Sequence, residues 1–372
     1  MKITRVETFL VQPRWLFLKI HTDEGIVGLG EPYVEGRART CAEAVCEYEH
    51  LLIGKDPRRV QHLWQSLYRH TFYRGGPVLT SVISGIEQAL WDILGKSLGV
   101  PVYQLLGGAC RDRIRLYKHA GGGDPESAAS SAKDAVDAGF TALKTGVAKK
   151  GHIYTLDSPS TVDYAVEVFA AMREAVGNEV DIGIDFHGAI SPAMAKQLIK
   201  GYEPYSPFFI EEPVQCQNVD VLAEIARGTH LPIATGERVY TRWGFREILE
   251  KQAATVLQPD LSHAGGIMEC RFIAAMAETH YGTIAPHCPL GPIALAACLQ
   301  LAACTPNHLA QEQVTLGEGY LREPFVVKGG YVDLPQGPGL GIELDEDALA
   351  DKIGHEWKNP ETYHRDGSVA DW

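Results

Sequence analysis

The sequence predicts an α/β fold: a (β/α)8-type (TIM-like) barrel with an N-terminal α+β capping domain that the C-terminal tail completes. Three observations predict it. Between Ile182 and Glu312, six apolar, strand-like runs each end on a carboxylate or histidine, in GIDFHG, FIEEP, TGER, LQPD, IAPHCP and LAQEQ. Their leading residues, Asp185, Glu211, Glu237, Asp260, His287 and Glu312, follow one another at intervals of 26, 26, 23, 27 and 25 positions. Each interval accommodates one strand, one helix and two short loops, the repeat of a parallel barrel. Before residue 113 the order is different, strands first and helices after, which marks a separate α+β unit.

Taken in order, Lys2–Val11 and Trp15–His21 read as strands, Thr22–Gly25 as a hairpin turn and Ile26–Glu31 as a third strand. Ala42–Leu52, Val60–Thr71 and Ser81–Leu98 carry helical periodicity, and Gly99 with Pro101 stops the last. Two connections, Gln12–Trp15 and Phe72–Pro77, hold a cation beside an aromatic ring. Arg14, Trp15, Tyr73 and Arg74 are expected there, either packed as linkers or lying over the barrel mouth against substrate. From Ile114 the pattern becomes strand, helix, strand. The eight expected strands are Ile114–Lys118, Ala142–Gly146, Val180–Asp185, Phe208–Glu212, Pro232–Glu237, Thr255–Gln258, Thr283–His287 and His308–Glu312. Helices such as Ser127–Ala138, Val162–Val176, Val219–Arg227 and Ile267–Thr279 lie between them. The link from Gly146 to Ser160 exceeds a usual βα loop and carries Lys149, Lys150, His152 and Tyr154. From Val326 short strands and glycine turns lose the barrel period, and this tail is expected to return to the first domain. The expected divisions are 1–112, 113–325 and 326–372.

A chain of 372 residues with 45% hydrophobic content has ample material for a core. Its net charge of −13 argues against nucleic acid or an anionic membrane as partner. The start, MKITRVETFLV, alternates like a strand and has no apolar signal core, and no run approaches 18 apolar residues. Eight cysteines without disulfide or zinc spacing read as buried, reduced thiols. A cytoplasmic location follows as the expectation.

In a closed barrel, strand ends share one ring, so residues about 25 apart become neighbours. Asp185, Glu211 and Glu237 would then bring three carboxylates together, and their repulsion calls for a hard cation. An all-oxygen ligand set suits Mg²⁺. His287 ends the seventh strand, and Asp260 ends the sixth, placed to accept the other ring N–H of His287 and raise its basicity. His187 lies two residues past Asp185, so strand alternation would turn both into the site. Lys144 and Glu312, at the ends of strands two and eight, are placed to meet substrate oxygens. His263 reads as structural.

With these residues in view, the chain resembles the enolase superfamily in its mandelate racemase-like branch. The resemblance covers essentially the whole sequence. It is carried by the carboxylate spacing, by ALWDILGK at 89–96, and by PRW, GRART, FYRGGP, DFHG, QPDLSHAGG, APHCPLGPIALAAC and the final SVADW. Within the branch it is closest to the D-galactonate dehydratases. The resemblance implies Mg²⁺-assisted abstraction of the proton α to a carboxylate, with His287 and Asp260 as the base pair. It also implies a small acid-sugar substrate, D-galactonate to 2-dehydro-3-deoxy-D-galactonate, and a homo-oligomer. His187 would protonate the leaving 3-hydroxyl. Racemases of this superfamily carry Lys-x-Lys at the end of strand two. Here the strand reads Lys144-Thr145-Gly146, which favours one-base dehydration over racemisation. Another aldonate or aldarate dehydratase, or an epimerase on the same scaffold, remains the alternative.

Overall fold

Alternating apolar residues at the start of the chain build a three-stranded antiparallel meander, β1 (Ile3–Val11), β2 (Trp15–Thr22) and β3 (Val27–Gly30). The computed structural model describes residues 1–372. Helices α1 (Ala38–Leu52), α2 (Val60–Arg69) and α3 (Pro77–Leu98) follow. Helix α3 packs on β3 at backbone distance, because Gly28 and Gly30 meet Ala89 and Gly85 with no side chain between. Its end is set by Gly99 in the left-handed region, φ 72°.

A short helix α4 (Val102–Leu105) leads to β4 (Arg113–Arg115) and β5 (Lys118–His119). Strands and helices then alternate: α5 (Pro125–Asp137), β6 (Ala142–Gly146), α6 (Pro159–Val176), β7 (Asp181–Asp185), α7 (Pro192–Tyr202), β8 (Ile210–Glu211) and α8 (Val219–Arg227). The series continues with β9 (Ile233–Thr235), α9 (Thr241–Glu250), β10 (Val256–Leu257), α10 (Ile267–Thr279), β11 (Thr283–Ile284) and α11 (Pro292–Ala303). Side-chain caps at Asp124, Ser191 and Asn218, and Pro at the start of α5, α6, α7 and α11, set the helix entries. Strands β5 to β11 form one parallel sheet of seven, in sequence order.

Two expected strands differ. Ile114–Lys118 is divided: β4 turns away to pair antiparallel with β12 (Tyr331–Asp333), and only β5 joins the parallel sheet. His308–Glu312 is no regular strand. It touches its neighbours through single bridges, Ile284 to His308 and Leu116 to Gln311.

The tail reaches both units. Beyond β12, Leu340 N donates to the buried Asp92 of α3 at 2.8 Å, and Ile353 bridges Val11 of β1. Helix α12 (Glu346–Leu349) ion-pairs with Lys19 through Glu346. One apolar cluster of 92 residues runs through both units. No helix is long and apolar enough to cross a membrane. All eight cysteines are free, but only five are buried: Cys46 and Cys110 are exposed and Cys216 is half-buried.

Candidate active site and metal centre

Strand alternation fills the inside of the sheet in layers. Phe209, Ala234, Val256 and Ala285 form a small buried cluster, and Tyr117, Ala142 and Ala310 a second. Gly183 leaves the room that the Phe209 ring occupies. Two positions further along, on the same face, stand Glu211 above Phe209, Asp185 above Gly183, Lys144 above Ala142, His287 above Ala285 and Glu312 above Ala310. The polar layer therefore rests on an apolar floor.

Within that layer the carboxylates of Asp185, Glu211 and Glu237 offer oxygens all within 4.8 Å of one another. Lys144 Nζ sits beside them, 3.0 Å from both oxygens of Glu211, 3.2 Å from Asp185 and 2.7 Å from Glu312. Glu312 also receives His119 Nε2 at 2.8 Å and the Cys288 N–H at 2.8 Å. Burial disfavours the Lys144 ammonium, yet Glu211, Glu312 and Asp185 raise it well above its ordinary value. Burial, reinforced by Asp185, pushes Glu211 well above the carboxylate range, against the pull of Lys144. One ammonium does not balance this many buried acids, and the hard oxygen donors fit a divalent cation.

His287 joins the layer through both nitrogens. Nδ1 lies 2.8 Å from Asp260 Oδ2 and Nε2 lies 2.9 Å from Glu237 Oε2. Asp260 is itself held by the Ser262 N–H at 2.7 Å. Burial favours the neutral ring, but Glu237, Glu312 and the bond to Asp260 hold His287 well above its usual value.

His187 reaches the site by a route other than alternation. Strand β7 ends at Asp185, Phe186 turns into the core, and His187 takes φ 53°, in the left-handed region. Its N–H caps Asp185 Oδ1 at 2.8 Å and its Nε2 lies 3.1 Å from Asp185 Oδ2. Burial opposes its protonation, but the hydrogen bond and charge of Asp185 outweigh that and lift it to about 9.

The four residues expected near substrate divide. Arg14 ion-pairs with Glu35 and donates to Pro289 O at 3.3 Å, two residues from His287. Trp15 is 4% exposed, packed against Phe17 and Tyr320 at 6.2 and 5.0 Å between ring centres, and so belongs to the core. Tyr73 is 82% exposed, and Arg74 lies over the Tyr68 ring at 5.7 Å. The cavity at the histidines, about 450 Å³, is lined by none of these four.

Its further walls come from residues that sequence reasoning passed over: Glu35, Arg238, Tyr240, Asn359, Asp371 and Trp372. The Trp372 ring stands 5.9 Å from that of His187. His263 also faces the cavity, with Nδ1 on Ser81 Oγ at 3.0 Å.

Comparison with known proteins agrees with this geometry. Residues 4–107 match the mandelate racemase/muconate lactonizing enzyme N-terminal domain, and residues 127–348 the enolase C-terminal domain-like family. A D-galactonate dehydratase of Ralstonia nicotianae is 50% identical over 100% of both chains. A crystal structure of an enolase from Agrobacterium radiobacter, with Na and L-malate bound, superposes with TM-score 0.93 at 32% identity over 100% of both chains. A member of the enolase superfamily from Salmonella Typhimurium gives TM-score 0.89 at 33% identity, over 94% of this chain and 97% of that one. The chain belongs to the enolase superfamily, in its mandelate racemase/muconate lactonizing enzyme branch.

Proposed function

We propose that this protein is a Mg²⁺-dependent sugar-acid dehydratase that converts D-galactonate to 2-dehydro-3-deoxy-D-galactonate. The observation that carries the reading is the flanking of one acidic triad by two imidazoles with different partners, His287 on Asp260 and His187 on Asp185. Relatives named D-galactonate dehydratase at 48 to 50% identity over the whole chain support the substrate. The Agrobacterium structure, described as a putative galactarate dehydratase, holds the 2-hydroxy diacid L-malate, which supports the class of hydroxy acids and not the choice of sugar.

Asp185, Glu211 and Glu237 would hold the cation. When bound, it supplies charge neutralisation for the second negative charge that builds on the substrate carboxylate. The protein's own residues do the rest. The Asp260 bond keeps a proton on His287 Nδ1; Glu237, the carboxylate that most favours the charged ring, would be turned to the cation, leaving Nε2 as the base that takes the C2 proton. Lys144 donates to the carboxylate oxygens as the enediolate forms. Glu312, held ionised by Lys144 and His287 and fixed by His119 and the Cys288 N–H, orients Lys144. His187, held on Asp185 through Nε2, gives its proton to the departing 3-hydroxyl.

The same reading takes 308–312 as the eighth stave of a closed (β/α)8 barrel, joined by its two bridges. It divides the chain into a capping domain to residue 112, a barrel to 325 and a returning tail. It places the protein in the cytoplasm as a homo-oligomer. Racemisation needs a base on each face, and Gly146 stands where a second lysine would be.

Turnover of D-galactonate, followed as 2-keto product, should vanish with EDTA and return with Mg²⁺. His287→Asn should stop exchange of the C2 proton with solvent. His187→Asn should block dehydration and leave that exchange. Failure to dehydrate any six-carbon aldonate or aldarate would remove the reading, and near-normal turnover in both variants would remove the assigned roles.

A further inference from the structure

The cavity at the two histidines carries acids in its wall besides the triad member Glu237. Glu35, from the loop after β3, and Asp371, from the tail, both line it. The nearby guanidiniums are already engaged. Arg14 ion-pairs with Glu35. Arg238 donates to both oxygens of Glu212 at 3.1 and 2.6 Å. The neutral lining offers groups suited to hydroxyls and to C–H faces: the Asn359 amide, the Tyr240 phenol and the Trp372 ring. Asp371 also borders a second cavity of about 320 Å³ that holds Lys149, His152 and His364. It stands between that basic cavity and the reaction site.

The tail segment is anchored so that this placement is defined. Thr362 and Ala370 exchange backbone and side-chain hydrogen bonds at 3.0 and 2.7 Å. Tyr363 bridges Val369, and the His364 ring stacks on Tyr154 at 4.5 Å. The long link after β6 and the end of the chain thus hold each other over the cavity.

We propose that Asp371 is a specificity-determining residue that admits sugar acids with one carboxylate and a neutral polyol tail and rejects those with a second carboxylate. The inference rests on the sugar-acid reading above and adds the discrimination within it. A dicarboxylate holding its first carboxylate at the triad would bring its second into a cavity that adds Asp371 to its wall and has no guanidinium free to pair with it, since Glu35 holds Arg14 and Glu212 holds Arg238. Like-charge placement of this kind selects by exclusion.

Calorimetry with Mg²⁺-loaded protein tests this apart from turnover, using D-galactonate and its C6-oxidised diacid, galactarate. In Asp371→Asn, galactarate should bind more tightly than it binds the wild type. The preference for D-galactonate over galactarate should fall at least about tenfold. Glu35→Gln, which frees Arg14, should move it the same way. A variant that merely loosened the tail would weaken both ligands, so a gain for the diacid separates the two cases. Ratios within twofold of wild type in both variants, or weaker binding of both acids, would overturn the proposal. Loss of galactonate turnover in the wild type would count against the dehydratase reading, while the binding ratio would still judge Asp371.

Discussion

Arg238 is the residue on which several parts of the site lean. It follows the triad member Glu237, and its partner Glu212 follows the triad member Glu211. Besides both Glu212 oxygens, its guanidinium reaches Gln215 Oε1 at 3.0 Å and the His187 carbonyl at 3.3 Å. Both Glu212 and His187 adopt positive φ, 39° and 53°. Non-glycine residues in that region cost about 1 to 3 kcal/mol each and persist only where their surroundings hold them. Burial, with Glu237 nearby, pushes the Glu212 carboxyl up to about 8 even with Arg238 beside it. Lysine at 238 would keep the charge and lose the planar fork. Arg238→Lys should therefore lower dehydration by about 10- to 100-fold, as when a supporting partner of a site residue is lost. C2 exchange, which depends on His287, should fall much less. Stability should drop by about 2 kcal/mol, below the range for a fully buried pair because the guanidinium is 34% exposed. Equal losses of exchange and dehydration would argue that Arg238 supports the fold alone. The sequence held a trace of this pair, since EE and ER recur 26 residues apart. What it could not give was which second residue bonds to which.

At the scale of elements, the contact between β3 and α3 decides how the first unit sits. A Cβ on Gly30 would run into the Gly85 carbonyl oxygen, and one on Gly85 into the Pro32 backbone. Neither obstacle is a side chain that swings away. Gly30→Ala should cost about 3 kcal/mol or more, at the upper end for overpacking. Gly123→Ala, where nothing lies within 4 Å, should be nearly neutral. Chemical denaturation of the pair would check this, and equal midpoints would show that β3 and α3 slide apart freely. Elements of this kind were legible. The apolar period gave β6, β7, α8 and α10 to within a residue, and the carboxylate ladder gave the triad. The misses share a cause, which is that a partner distant in sequence set the local structure. The strand expected at 114–118 divides because β12, more than 200 positions on, takes its first half. The run at 308–312 has strand composition but only single bridges on either side. His187 enters by a turn that its own i, i+2 spacing conceals, and Trp15 is claimed by Phe17 and Tyr320. Asn359, Asp371 and Trp372 reach the cavity by a fold-back that no periodicity announces.

At the scale of the whole molecule, the first unit builds its interface on two helix starts. Glu31, just past β3, accepts the Gly291 and Ala294 N–H groups of α11 at 2.7 and 3.0 Å. Glu87 of α3 accepts the Ile267 and Met268 N–H groups of α10 at 2.7 and 2.9 Å. Both acids are buried and meet donors that a helix cannot satisfy itself. Helix α11 begins just after His287, and α10 just after Asp260. The first unit therefore braces the segments that follow both members of the proposed base pair, with Gln88 adding bonds to Leu261 O and Ser262 Oγ. Burial pushes Glu31 up to about 8 and Glu87 up to about 7, against the pull of those N–H groups. Their value in the unfolded chain is near 4.5, so between the two the folded protein holds protons that the unfolded chain releases. The stability linked to these protons is full below about pH 4.5 and is lost as pH rises through about 7 to 8. Glutamine, which mimics the protonated acid, should flatten that alkaline decline in melting temperature when placed at 31 or 87. Alanine should instead leave two buried N–H groups unpaired, at about 1 to 3 kcal/mol for each. Because the two helix starts share no partner, the alanine losses should add within about 0.5 kcal/mol. Both alanine variants should also slow C2 exchange while keeping Mg²⁺ affinity, since the triad lies on other strands. Wild-type exchange in the double alanine variant would show that Asp260 and His287 are placed without help from these two acids.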